Sequence, residues 1–397
     1  MKRIIRAIIR RMCWCVFFFF PIKKNRILFS SFYGRGYGDN LKYICNELEG
    51  CGYDIGWVVK DRTEEKTLPS FVKPIYKDSI KHIFYLATSN IWVDNCRKPF
   101  RYKKNKQFYI QTWHGGGAQK KCEADAIDKI SLGYVKTAKK DSKYADLFIS
   151  ESGFMTKLYF SSFWYSGPVY QCGYPRYDIL LATPENIKKK VYSFFKIDEK
   201  KKIVLYAPTF RKNHSFEAYN IDFVRLQRVL YEKYKQEYVI LVHLHPNVAT
   251  YEGIIKYDGI NIFNATFYPD TQELLAASDF LIGDYSSINY DFSLKKLPVI
   301  RFVSDLEEYN EDRGTYFRFS DYPYPYAVNN DELEKLILNF DNEKYLGELQ
   351  LFFDRLQSVM NANSSKDIAN LIVSYVNINN KKIFLKKYKD KFILKDG

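Results

Sequence analysis

The sequence predicts an α/β protein built from two doubly wound parallel-sheet domains. Three observations carry this. Short apolar runs rich in β-branched and aromatic residues alternate with helical patterns along most of the chain, the signature of parallel strands covered by helices on both faces. Polar residues and glycines gather where those runs stop. A stretch near residues 175–200, holding Pro175, Pro184 and a lysine-rich helix, divides the pattern into halves. A length of 397 residues gives each half enough chain for its own core.

The chain opens with MKRIIRAIIRRMCWCVFFFFPIKKNR. Ile4, Ile5, Ile8 and Met12 recur near helical spacing, with Arg3, Arg6, Arg10 and Arg11 between them. The apolar run from Cys13 to Ile22 is about half the ~20 residues of a spanning helix. It is followed by no small-residue cleavage site. Residues 1–25 are read as a basic amphipathic segment lying on an anionic membrane surface; a first helix packed on the domain is the competing reading. Strands are expected at RILFSSF, IGWVV, IWVDN, FYIQTWH, LFISES and VYQCG in residues 26–180. A second set is expected at IVLYAPT, YVILVHLHP, INIFNA, FLIGDYS and VIRFV in residues 181–375. Helices are expected over 221–234, 270–277 and 287–295. Residues 376–397 form a basic tail. In such sheets ligands bind beyond the carboxyl ends of the strands.

Composition narrows the partners. Net charge is +15, which fits a lysine-rich surface, an anionic membrane or a phosphorylated substrate. The sequence has no zinc finger, RNP-type strand or regular basic helix, so no nucleic-acid partner is expected. The seven cysteines are scattered and include no CxxC pair, which points to reduced thiols, without a disulfide framework or zinc site. No P-loop, HExxH or GxSxG is present, and the glycines of YGRGYGDN are wrongly spaced for GxGxxG. That loop is read as a close-approach loop at the expected cleft. No cofactor and no metal are expected.

Candidate site residues follow from the strand ends. In QTWHGGGAQKK, His114 stands at the end of an apolar strand before Gly115, Gly116 and Gly117. In YVILVHLHPN, His243 and His245 share one strand face; contact with an anionic ligand, a packed structural pair and metal ligation are all open. In FLIGDYSSINYDF, Ser286 and Ser287 open a helix whose start suits phosphate, with Asp291 a turn further on. LYAPTFR offers Pro208, Thr209 and Arg211, and CGYPRYD offers Arg176 near the domain boundary.

Taken together, WHGGG, YAPTFR, HLHPN, DYSSINYDF and DLEEYNEDRGTYF, with SSFYGRGYGDNLKYICNEL and CGYPRYDIL, resemble the CDP-glycerol glycerophosphotransferases of teichoic acid and capsule synthesis. The likeness runs in order from about residue 26 to about 340. It implies a GT-B-like fold, two doubly wound domains facing a central cleft. It implies transfer of glycerol phosphate from CDP-glycerol to a hydroxyl of a lipid-linked polymer, with release of CMP, at the cytoplasmic face of the membrane. By the same resemblance His114 is the proposed base and His245 joins it in catalysis. Gly115, Gly116, Arg176, Pro208, Thr209, Arg211, His243, Ser286, Ser287 and Asp291 are then donor- or substrate-binding. Two departures stand out: Gly116 and Gly117 replace a common Thr-Pro after the WHG motif, and His243 replaces a common arginine. They leave open CDP-ribitol or another CDP-polyol as donor, and a GT-B nucleotide-sugar glycosyltransferase as the alternative enzyme. A non-enzymatic membrane- or polymer-binding module is the competing class, and strand-end polar residues in both halves argue against it.

Overall fold

The computed structural model describes residues 2–99, 103–117, 119–209, 219–244, 261–306 and 314–395. Every paired strand runs parallel to its neighbour. In the first sheet the strands are β1 (Lys23–Ser30), β2 (Asp54–Val59), β3 (Lys73–Tyr76), β4 (Ser89–Asp94), β5 (Phe108–Gln111), β6 (Leu147–Ser150) and β7 (Val169–Gln171). Their order is β3-β2-β1-β4-β5-β6-β7. In the second they are β8 (Lys202–Tyr206), β9 (Tyr238–Val242), β10 (Ile262–Asn264), β11 (Phe280–Gly283), β12 (Val299–Phe302) and β13 (Tyr326–Ala327), ordered β10-β9-β8-β11-β12-β13. Both sheets therefore reverse strand order once, between β1 and β4 and between β8 and β11. Those are the topological switch points where open α/β sheets leave a crevice.

All eleven expected strands are present, with shorter carboxyl ends. FYIQTWH leaves the sheet after Gln111, and YVILVHLHP leaves it after Val242, so His243 lies beyond β9. The two unforeseen strands, β3 and β13, are short edge strands of four and two residues. Pro74 is tolerated in β3 because an edge strand leaves one row of N–H groups unpaired. Strand interiors are apolar on both faces, as a helix-covered parallel sheet requires: Ile27, Phe29, Ile91, Val93 and Ile110 have no exposed surface in the first sheet, nor do Val204, Ile240, Ile282 and Ile300 in the second.

Packing divides the chain into two units. One comprises Met1–His114, Cys122–Asp178 and Asn361–Gly397; the other comprises Gly115–Lys121 and Ile179–Met360. Residues 361–375, expected in the second domain, thus cluster with the first, and the basic tail joins them. The reason is side-chain chemistry. The Asp178 carboxylate accepts from the N–H groups of Ser364 and Ser365 at the start of helix Ser364–Ile378. Tyr375 of that helix stacks on Phe108 of β5 at 4.4 Å, and Phe384 lies edge-on to both rings. Ile393 pairs with Val169 at the β7 edge.

The N-terminal segment forms a helix, Lys2–Phe18. One face packs on helix Ile80–Thr88, where Phe17 meets Phe84 edge-on at 5.3 Å and Arg10 pairs with Asp78. The other leaves Ile8, Met12, Val16 and Phe19 exposed. Among the described residues no helix is long and apolar enough to cross a membrane.

Candidate active site

In the first unit, His114 lies three residues beyond β5, and its neighbours come from the ends of β1 and β4. Its Nδ1 is 2.6 Å from the carbonyl oxygen of Asn95, one residue past β4. Its ring meets Phe32, two residues past β1, edge-on at 5.4 Å. A carbonyl only accepts, so Nδ1 carries the proton and Nε2 is the basic nitrogen. Burial lowers the His114 pKa from its ordinary value, with the nearby Asn95 carbonyl and Asp39 opposing the shift. The neutral imidazole is therefore favoured at neutral pH.

The loop around this histidine is held by buried polar groups. Arg176 is 3% exposed, and its guanidinium donates to the His114 carbonyl and to the Asp39 carboxylate, both at 2.8 Å. Asp39 also accepts from the Asn95 amide at 2.5 Å. Asn40 donates to the Trp113 carbonyl and accepts from the Arg176 N–H. Arg176, expected at the donor, is thus committed to positioning His114. Phe32, Tyr33, Asp39 and Trp113 all have left-handed backbone conformations, with φ of 41°, 60°, 57° and 57°. Each costs a non-glycine residue ~1–2 kcal/mol, and such strain collects at functional sites. Beneath the loop, Arg97 is buried between the carboxylates of Glu123 and Asp141 and the rings of Trp113, Phe148 and Phe163.

In the second unit the glycines after His114 have a use the sequence did not suggest. Of Gly115, Gly116 and Gly117, only Gly117 has positive φ, at 66°. A Cβ there would lie 2.4 Å from Cγ of Tyr290. Its glycine character serves close packing on that ring. The segment continues along the same unit: Lys120 bridges to Thr315, and the Tyr322 hydroxyl donates to the Gln119 carbonyl.

The β8/β11 switch point holds the other candidates. Thr209, three residues past β8, donates through its N–H and its hydroxyl to one oxygen of Asp284, the residue after β11. Asp284 is 1% exposed, and its carbonyl accepts from Asn289. A Cβ at Gly283 would lie 1.9 Å from the Asn289 side-chain oxygen, so glycine is required there. Pro208 is buried beside Thr209. The helix expected over 287–295 is Ile288–Ser293, six residues, so its dipole is small. Ser286 accepts from the Ile288 N–H at 3.3 Å, while the Ser287 side chain makes no capping bond. Both serines are half-buried. Asp291 is turned inward and accepts from Gln272 at 3.1 Å. His243 is engaged at both ring nitrogens, with the Ala265 carbonyl at 3.0 Å and the Thr271 hydroxyl at 3.1 Å. His245 and Arg211 lie outside the described residues, as do 307–313 of DLEEYNEDRGTYF.

Sequence reasoning missed Asp39, Asn40, Asn95 and Asp284 as supporting residues. All four were visible by the rule that found His114, since each is a polar residue just after an apolar strand or in the loop leading from it.

Two six- or seven-stranded parallel sheets, each with polar groups at its switch point, define a GT-B-like α/β transferase. The CDP-glycerol:poly(glycerophosphate) glycerophosphotransferase family matches residues 11–374, and the chain belongs to it. It is 28% identical over 367 residues to a teichoic acid poly(glycerol phosphate) polymerase of Staphylococcus epidermidis, covering 88% of this chain and 51% of that protein. The chain thus spans about half the length of that relative. With the Bacillus spizizenii protein of the same description the identity is 29%, covering 88% of this chain and 92% of that one. The solved structure of the wall teichoic acid polymerase TagF superposes with a TM-score of 0.81 at 26% identity, covering 95% of this chain and 97% of that one.

Proposed function

We propose that the chain transfers glycerol phosphate from CDP-glycerol to a hydroxyl of a lipid-linked teichoic-acid-like or capsular polymer, with His114 as general base. The observation that carries this is the His114 geometry: a neutral imidazole, held by Asn95 and Arg176, whose Nε2 is the basic nitrogen. Family membership supports the donor class. So does a TagF structure described as a histidine-to-asparagine variant with CDPG.

In the reaction the acceptor oxygen attacks the phosphorus that carries glycerol. Its proton passes to Nε2 of His114. The bond from that phosphorus to the bridging oxygen breaks, and CMP leaves with the electron pair. Positioning and charge stabilisation dominate such transfers. Thr209, Ser286 and Ser287, with Arg211 and His245, are proposed to hold the donor phosphates. The exposed apolar stripe of helix Lys2–Phe18 is proposed to rest on an anionic membrane surface at its cytoplasmic face.

CDP-ribitol is the second reading, favoured by 29% identity to a teichoic acid poly(ribitol-phosphate) polymerase. Incubation with CDP-glycerol, CDP-ribitol and UDP-sugars, reading CMP or UDP release, separates these donors. With the productive donor, His114→Ala is expected to lower transfer by ~10²–10⁴-fold while donor binding persists. Near-wild-type turnover in that variant would remove His114 from its role.

A further inference from the structure

The loop YGRGYGDN joins β1 to helix Asp39–Asn46. The proposed reaction leaves it without a role. Its glycines let it fold closely over the end of β2. A Cβ at Gly34 would lie 3.0 Å from the Lys60 nitrogen, whose N–H donates to the Gly34 carbonyl at 2.8 Å. Two residues on, the Gly36 N–H donates to the Glu64 carboxylate, and the Gly36 carbonyl accepts from the Trp57 indole. Tied at these points, the loop brings Asp39 to the turn that holds His114.

Asp39 sits there with a left-handed φ of 57° and a side chain only 6% exposed. A buried carboxylate needs partners. One oxygen accepts from the Arg176 guanidinium at 2.8 Å, and the other accepts from the Asn95 side-chain amide at 2.5 Å. The same two residues bond His114: Arg176 donates to its carbonyl, and the Asn95 carbonyl accepts from its ring at Nδ1. The Asn95 side chain is held at its other end by the Phe32 N–H at 2.9 Å. Asp39 therefore sits behind both contacts that fix the histidine.

Charged groups act on the His114 ring from several elements. Asp39, on helix Asp39–Asn46, and Glu123, on the turn Glu123–Lys129, favour the protonated ring, and Arg176, after β7, opposes it. The Cys96 sulfur lies 3.8 Å from Nδ1. Burial pushes the Cys96 thiol pKa up, so it adds no charge at neutral pH.

We propose that Asp39 is a positioning residue for His114, a carboxylate that clamps Arg176 with one oxygen and Asn95 with the other. It thereby fixes the hydrogen bonds at the histidine's carbonyl and at its ring. The assignment deepens, and rests on, the reading of His114 as general base.

Nuclear magnetic resonance titration of the histidine rings in the full chain tests it, with the His114 signal assigned by its loss in His114→Ala. Asp39→Asn removes the favouring charge and leaves that of Arg176, so the His114 pKa should fall below the wild-type value. Arg176→Gln removes the opposing charge, so the pKa should rise. A merely structural role predicts otherwise. Loosening the loop would admit water to the ring and raise the pKa in both variants. The titration needs no substrate, so it judges Asp39 even if His114→Ala kept its turnover and the base reading fell. Asp39→Glu keeps the ion pair and serves if Asp39→Asn fails to fold. With the carboxylate moved by one methylene, kcat with the productive donor should drop on the order of 10²-fold while the donor KM stays near wild type. Shifts of the same sign in the two charge variants, no shift in Asp39→Asn, or an unchanged kcat in Asp39→Glu would overturn the assignment.

Discussion

His114 shows how much one side chain depends on its surroundings. Its bond to the Asn95 carbonyl selects the tautomer, and burial keeps the ring neutral. As the proposed base, His114 works when neutral, and burial lowers its pKa from the ordinary 6.5. The acid limb of the kcat/KM profile should therefore be centred below about 6.5. A limb centred above 6.5 would contradict this setting. Arg176 donates to the His114 carbonyl and to Asp39, so an effect on positioning is expected. Arg176→Lys keeps the charge and loses the planar fork. Misplacement of a catalytic group costs on the order of 10²-fold, so a kcat loss of that size is expected while the donor KM stays near wild type. A change confined to KM would return Arg176 to the donor.

At the scale of elements, the loops after the strands hold the candidate site residues and the strands hold the buried core. The segment after β5 leaves the first unit at His114 and packs in the second through Gly117 and Tyr290. Gly117→Ala combines a left-handed φ with a clash against the Tyr290 ring. It should lower stability by ~2 kcal/mol or more, measured by urea unfolding. In a double-mutant cycle with Tyr290→Ala the two losses should be less than additive, because the second change removes the clash. Full additivity would mean that the ring is not what requires glycine. Eleven of the thirteen strands were legible because buried parallel strands read as apolar runs. The two edge strands were not, since β3 is four residues with a proline and β13 is only two residues long. The exact strand ends were also hidden, because backbone bonds to the neighbouring strand continue at Thr112 and His243, one residue past each end.

At the scale of the molecule, the proposed membrane contact would draw on both the net charge of +15 and the apolar helix face. Met12 and Val16 are 63% and 57% exposed, so Met12→Glu with Val16→Glu should leave the fold intact. The pair is expected to reduce sedimentation with phosphatidylglycerol vesicles by ~10-fold or more, and added salt should weaken wild-type binding by screening. Retention of binding by the double variant would dissociate this helix from the membrane. The closing helices illustrate what lies beyond pattern reading. Their sequence does not reveal that Asp178 caps Ser364 and Ser365, since the partners lie 186 and 187 residues apart.

The sequence by itself determined the α/β class and the family resemblance and singled out His114 as a candidate, because strand runs and strand-end polar residues are local signals. Only the tertiary structure decided which partners those residues take. It turned Arg176 toward the His114 carbonyl, occupied both nitrogens of His243, joined Thr209 to Asp284 and assigned residues 361–375 to the first unit. The physical reason is that a buried polar group must find a partner, and that partner is chosen by proximity in space, which the order of residues along the chain does not state.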